Sequence, residues 1–473
     1  MHRLLVLFSS LAFTAQAADL YRSDAYLKDV RANNLEVKSA LQAAEGARRR
    51  SQEGDLVTSP AFYTQAQAGA DSKLPVLAFF NYTKLETQGV SLGVSQLTSW
   101  GQQLKVYYNA IHYNYVDLVF PTPGAGPKTR FFDTQPGLEV TQSFWSNSFG
   151  RGTRATRTLL ESQAMASSYA SQFRARAALA AAEETYWKLV IVREKLSISA
   201  VALEQARKIF EWSSNRAKRH LGDEADALQA RAALEARELE IQIARDEERT
   251  ASRAFNKTRQ LDSDQVKELL EPLPLEKLTK LKAENRMDKR EDVRAAEEQQ
   301  KAAIAGAAAA SEKDSPTLDL TGSLSFNGRN DNLGPSIGDP FSAGRTTWAL
   351  GAKFILPLDR GAASDAVNGW HQEEKAAELM LQQKLFEQEQ DWKDLGKKLE
   401  EAQRRLELAQ KLVAAQKTKL EYERARLKQG RTITFQVLSF EQDYAQAQLM
   451  QLQAESVLVS LNSYLKLFVG GTL

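Results

Sequence analysis

The sequence contains no cysteine. That excludes disulfides, thiolate metal sites, a cysteine nucleophile and an acylated N-terminal cysteine as a lipid anchor. Histidine is nearly as scarce: His2, His112, His220 and His371 are the only four, and they show no ligand spacing, so no metal or cofactor site is expected. Net charge is close to absent as well, with 62 Lys+Arg against 60 Asp+Glu leaving +2. Interspersed charges of this kind lack the basic stripe that a nucleic-acid partner needs. Past the first residues no stretch approaches the roughly 20 apolar residues of a membrane-spanning helix. The phosphate-cradling Gly-x-Gly-x-x-Gly is missing, the Gly-x-Ser-x-Gly of a hydrolase nucleophile is not expected, and no cluster of acid, base and nucleophile is readable, so catalysis is not expected.

What is present begins with a secretory signature. Met1-His2-Arg3, the apolar run Leu4 to Ala15 and the small residues of Ala15-Gln16-Ala17 predict a signal peptide over 1–17, a mature start at Ala18 and export. The dominant feature lies from Arg360 to Phe468. Apolar residues recur every seven positions at Leu385, Trp392, Leu399, Leu406, Val413, Leu420 and Leu427, with a second register at Gln388, Leu395, Ala402, Ala409 and Gln416. A strict seven-residue repeat keeps one seam facing a partner helix through left-handed supercoiling. Arg360 to Gln429 would rise on the order of 100 Å. The chain then breaks at Gln429-Gly430-Arg431, where Gly430 can supply a left-handed cap, and returns through Val437, Tyr444, Gln451, Leu458 and Leu465.

The same order is written twice. A helical pattern from Ala25 to Glu53 precedes Ser59-Pro60 and a strand-like run through Phe62, Thr64, Ala66 and Ala68; an Ala- and Glu-rich helix from Asp292 precedes Ser315-Pro316 and the alternation of Leu318, Leu320, Leu324 and Phe326. Val37 and Val293, and Pro60 and Pro316, stand at one common offset. Each half has a second strand, Leu138–Phe144 and Trp348–Phe354, in which apolar and small polar residues alternate. Such alternation suits a half-buried soluble strand, and it also suits a membrane barrel with an aqueous lumen. Arg151-Gly152 and Arg360-Gly361 then open long helices, and Gly222 answers Gly430 at the first turn.

The predicted organisation is a first repeat at 18–260, a small helical side segment at 261–289 around Pro272 and Pro274, a second repeat at 290–468 and a tail at 469–473. The first strand pair encloses an insertion of about 74–130. It is expected as an elaborated external hairpin, with two extra barrel strands as the alternative. Trp145 and Trp348, beside strands, are candidates for an interfacial belt.

These residues resemble the TolC-type outer-membrane efflux protein family over nearly the whole mature chain. The segments that carry the resemblance are Ser315-Pro316-Thr317-Leu318-Asp319-Leu320, Thr141-Gln142-Ser143-Phe144-Trp145 with Phe149-Gly150-Arg151-Gly152, Asp226 to Arg231, and Leu427 to Thr432 with Val437-Leu438. The resemblance implies a mostly α protein with a membrane β-barrel: a homotrimer in the outer membrane, four strands per chain in one barrel, and coiled-coil hairpins forming a periplasmic α-barrel tunnel. It implies a passive exit duct for an inner-membrane transporter and a periplasmic adaptor. The turns at Leu221, Gly222, Asp223, Gln429, Gly430 and Arg431 would then meet the adaptor. In relatives, aspartate rings close the entrance just past the second turn. Gln436 and Ser439 fall at those positions here, so that gate is absent or built differently, while Asp226 matches the acid after the first turn. The rival reading is a soluble periplasmic coiled-coil adaptor or scaffold, which would carry one hairpin per chain and no strand pairs before it.

Overall fold

The computed structural model describes residues 20–73, 82–118, 128–221, 223–342 and 344–469. The signal-peptide reading of 1–17, Gly222 and most of the tail 469–473 lie outside the described residues. In chain order the elements are α1 Ser23–Asn33, α2 Leu35–Arg50, α3 Glu53–Leu56, β1 Ala61–Asp71, β2 Lys84–Leu97, β3 Gln102–Val116 and β4 Arg130–Ser143. A one-turn 3-10 helix, Ser148–Gly150, leads into α4 Arg151–Lys218, then α5 Glu224–Thr258, α6 Leu275–Thr279 and α7 Glu291–Lys313. The second half continues with β5 Thr317–Phe326, β6 Gly328–Asn330, α8 Leu333–Ser342, β7 Thr346–Ile355, α9 Arg360–Lys428 and α10 Thr434–Leu465. The long arms have 68 and 69 residues and the return arms 35 and 32, so the doubled order read from the sequence is the order of the elements.

The chain divides into two compact units: residues 1–43, 171–291 and 386–473 form one, and 44–170 with 292–385 the other. The first unit is helical. The single helix expected from Ala25 to Glu53 is broken at Asn34, whose side chain accepts from the amides of Glu36 (2.9 Å) and Val37 (3.1 Å) and so caps α2. Around it Tyr26, Val30, Val37, Leu179, Tyr186, Leu189 and Phe255 make one core cluster. Tyr26 stacks on Phe255 with ring centroids 4.4 Å apart, and burial pushes the Tyr26 hydroxyl pKa up to about 12. A second cluster joins Leu395, Leu399, Ala402 and Leu406 of α9 to Leu458 and Leu465 of α10 and to Phe468. The seven-residue seam is thus an intrachain contact along this part of the hairpin.

The segment 261–289 is helical only over Leu275–Thr279, which corrects the expected helical side segment. Pro272 and Pro274 interrupt the pattern, and the rest is irregular chain whose carbonyls are met by side chains. Asn256 Nδ2 donates to Ser263 O and Gln265 O at 3.0 Å, Arg193 Nη1 to Glu268 O at 2.9 Å, and Gln403 Nε2 to Leu281 O at 2.8 Å. Gln388, a polar residue in the α9 seam, does the same work: it accepts from Arg290 N (2.9 Å) and donates to Asp288 O (3.1 Å). Buried backbone groups must be paired, and here long polar side chains replace secondary structure.

The second unit is organised by a seven-stranded antiparallel sheet in the order β1-β2-β3-β4-β5-β7, with β6 prolonging the β5 line against β4. The strands from the insertion, β2 and β3, have 14 and 15 residues and lie between β1 and β4. The external hairpin expected for 74–130 is therefore corrected: its described strands are full members of the sheet, and β1 and β4 never pair directly.

Two consequences can be measured. Glu455 of α10 is buried. Burial raises its carboxyl pKa above 4.5, the hydrogen bond from Gln451 (2.8 Å) partly offsets this, and Glu194 adds repulsion. A carboxyl with a raised folded pKa contributes stability that is full below the unfolded value and lost as pH rises through the folded one. Glu455→Gln should therefore raise the melting temperature at pH 7 and leave it unchanged near pH 4, as read by thermal denaturation at both values. Gly150 has φ +77, and a Cβ there would meet the backbone of Ser99 and, at 2.7 Å, Gly101 N. Gly150→Ala should cost at least about 2 kcal/mol, since neither backbone can give way, seen as a large drop in the same melting temperature.

Candidate conduit wall and helix turns

Cross-strand register turns the alternation of each strand into two faces. On one face a row runs without interruption through Phe62, Val94, Val106, Leu138, Leu324 and Trp348, one residue from each of the six long strands. Neighbouring rows add Leu92, Val90, Val140, Leu320, Leu350 and Phe354. Most of these side chains are exposed, Leu350 at 80% and Trp348 at 72%. The opposite face presents Gln65, Gln67, Ser91, Asn109, Gln135, Thr141, Thr321 and Ser323. Large exposed apolar surfaces mark a contact with another apolar medium, and an apolar face backed by a polar one is the construction of a barrel wall in lipid. Ten residues at about 3.3 Å rise, tilted about 45°, reach about 25 Å, the height of such a band.

Trp145 (50% exposed) lies 6.3 Å from the Phe354 ring at the helical end of the sheet, and Trp348 lies toward the other end, so the two tryptophans fall at opposite edges of the apolar band. Four helices attach at one end: α3 leads into β1, β4 into α4, α7 into β5 and β7 into α9, whereas α8 joins β6 to β7 at the other. The β2–β3 turn lies at the end of the four helices, where Arg154 Nη1 donates to Ser99 O at 2.9 Å and to Phe149 O at 2.8 Å.

Two features correct the sequence reading. Gly89-Val90-Ser91-Leu92-Gly93 has the Gly-x-Ser-x-Gly spacing of a hydrolase nucleophile. It lies within regular strand β2, with Ser91 Oγ donating to Asn109 Oδ1 at 2.6 Å, and it makes no sharp turn. Helix α8 is the other. It rests on the apolar face of the sheet, where Thr134 Oγ1 donates to Ser336 O, Ser336 Oγ to Phe132 O (3.1 Å) and Tyr108 OH to Ile337 O (3.0 Å). Its Leu333, Ile337 and Phe341 stay exposed. Their four-residue spacing is a helical signal, obscured by Pro335 and Pro340.

In the first unit the two helix turns share one construction. At the first, Leu221 N donates to Arg216 O (2.9 Å) and the Arg216 guanidinium donates back to Leu221 O (2.9 Å). At the second, Arg431 N donates to Arg426 O (2.9 Å) and the Arg426 guanidinium donates back to Arg431 O (3.2 Å). The left-handed residue within each loop is His220 (φ 56) and Gly430 (φ 69). Among the described residues, His220 is therefore the counterpart of Gly430. Arg216 also covers the Trp212 ring at 4.7 Å. Asp223 caps α5 by accepting from Ala225 N at 3.0 Å. Leu221, Asp223, Gln429, Gly430 and Arg431 are all exposed.

Behind the second turn sits a buried carboxylate that sequence reasoning missed. Glu423, 4% exposed, accepts from the Thr432 hydroxyl and from Arg426 Nη1 at 3.2 Å. Asp226, Gln436 and Ser439 are half-buried. Ser439 lines a cleft of about 360 Å³ with Ala206 of α4, Ala233 and Glu240 of α5, and Phe435 and Glu441 of α10. Among the described residues no group of three His, Asp or Glu side chains is placed to hold a metal ion, and no described helix is long and apolar enough to cross a membrane.

Solved structures share the fold. The chain is similar to the outer membrane protein VceC from Vibrio cholerae (14% identity, 94% of each chain covered, TM-score 0.64). It is also similar to the Campylobacter jejuni CmeC outer membrane channel (18% identity, 94% of this chain and 86% of that one, TM-score 0.60). The open state of the Neisseria gonorrhoeae MtrE outer membrane channel is alike as well (17% identity, 94% and 88% covered, TM-score 0.59). At such identities the likeness is one of fold, that of the outer-membrane channels. Residues 284–471, less than half of the chain, match the outer membrane efflux protein family model. No curated protein matches the sequence. The family is one of channel proteins.

The paired turns give a directional test. A Cβ at Gly430 would meet nothing within 4 Å, so Gly430→Ala carries only the left-handed backbone cost of about 1–2 kcal/mol. His220→Gly removes a comparable cost and should stabilise by about 1 kcal/mol. Thermal denaturation of the two variants should shift in opposite directions.

Proposed function

We propose that three copies of this chain form a duct across the outer membrane and periplasm. It passively conducts substrates handed over by an inner-membrane transporter through a periplasmic adaptor, as in tripartite efflux or type I secretion. The observation that carries the reading is the sheet with one exposed apolar face, one polar face and two unpaired edges, β1 and β7. In lipid an edge strand cannot remain unpaired, so the sheet needs further copies to close. Energy is supplied by the partner transporter.

The turns are the proposed adaptor contacts: Leu221, Gly222 and Asp223 at the first, Gln429, Gly430 and Arg431 at the second. Asp226, Gln436 and Ser439 stand at the proposed entrance. Ser439 beside Glu240 and Glu441 supports an entrance with mixed polarity in place of an aspartate ring. A soluble scaffold is disfavoured by the exposed apolar band, which would drive aggregation in water.

Fractionation followed by heated and unheated gel electrophoresis of the detergent-extracted outer membrane tests the assembly. A heat-labile band near three times the monomer mass is expected; a soluble periplasmic monomer would overturn the duct. Leu221→Asp should retain that band and lose export of the transported substrate, which separates a docking role of the turn from a folding one.

A further inference from the structure

Resting on the trimeric duct proposed above, we infer that the assembled outer-membrane wall has eighteen strands. The four strands per chain implied by family resemblance would give twelve. The inference starts from β2 and β3. They pair with each other and with both neighbours in continuous antiparallel register. Their Val90, Leu92, Val94 and Val106 carry the exposed apolar face across the insertion without a gap. A hairpin lying outside the wall would leave β1 facing β4 and would turn its own apolar residues away from the common face.

The polar face locks the same register. Tyr63, Gly93, Tyr107, Gly137, Ser325 and Thr347 form one row across the six strands. The Tyr63 ring lies over Gly93 and the Tyr107 ring over Gly137. Large and small residues thus alternate across the β1–β2 and β3–β4 seams. Lys105 stands between the two rings, 5.8 and 5.6 Å from their centroids. A one-residue slip of the hairpin would break both pairs and invert its faces, and aromatic cover of strand glycines is a known device for pinning register.

Strand direction then decides how copies join. The path β1-β2-β3-β4-β5-β7 has six long strands, each antiparallel to the next. The edges β1 and β7, of 11 and 10 residues, therefore run in opposite directions and can meet antiparallel between copies. The occupant of each open edge is the opposite edge of another copy. Barrel diameter grows roughly linearly with strand number, and walls of 16–18 strands leave an aqueous channel. The exit is therefore about one and a half times as wide as twelve strands would give. Its lining mixes Lys105 and Lys353 with Glu139 and Asp319 among uncharged polar residues. Such an exit selects weakly by size and charge, and it admits cargo of polypeptide cross-section as well as small solutes.

The chain has no cysteine, so one introduced residue gives one label per copy. Thr64→Cys on β1 and Leu350→Cys on β7, each spin-labelled in detergent-extracted trimer, would be measured by pulsed electron resonance. With strands about 4.8 Å apart and tilted about 40°, eighteen strands put symmetry-related backbone positions about 30 Å apart and twelve about 20 Å. The label arms add equally in both cases. A heat-labile trimer with the larger separation at either site supports the wide wall. A heat-labile trimer with the smaller separation overturns it and leaves the duct standing. Absence of the trimer, in the variants and the parent chain alike, would overturn both.

Discussion

The cross-strand ladder from β1 to β7 is the constraint on which the rest of this protein depends. Water is absent from the bilayer core, so every strand N–H and C=O there must find a partner in the sheet. The ladder meets that demand inside the chain and leaves only its two outer edges open. It also fixes which side chains share a face, because register decides whether Val94 stands beside Phe62 or across the wall from it. Once the faces are fixed, the four helix attachments fall at one end of the sheet.

The helical unit meets a different demand with different means. Its arms satisfy their own backbones, so packing alone has to hold them, and apolar seams with the Tyr26–Phe255 stack supply it. The irregular segment beneath them has no ladder, and glutamine, asparagine and arginine side chains receive its carbonyls instead. At the turns one arginine at each loop closes the helix end twice, through its own carbonyl and through its guanidinium. That device recurs in both repeats even though the left-handed residue differs, histidine in one and glycine in the other.

Periodic patterns were legible because they are local. The seven-residue spacing from Leu385 to Leu427 marked α9, alternation marked β1, β4, β5 and β7, and paired prolines marked the doubled order. Cues that depend on a neighbour were not legible. Nothing in the alternation of Val90 to Val94 says which strand lies alongside, so the insertion read as a hairpin outside the sheet. His220 carries no composition signal for a positive φ, and a glycine two residues on drew the assignment. Gln388 was legible only as a polar member of the second register, because its partners, Asp288 and Arg290, are distant in sequence and come from an irregular segment.

By itself the sequence determined the duplication, most of the long helices and strands and the two-faced character of each strand, since these follow from residue type and short-range spacing. Only the tertiary structure decided strand order, the place of β2 and β3 within the sheet, the seat of α8 on its apolar face and the equivalence of His220 with Gly430. Those depend on hydrogen bonds and contacts between residues far apart in the chain, which local periodicity does not encode.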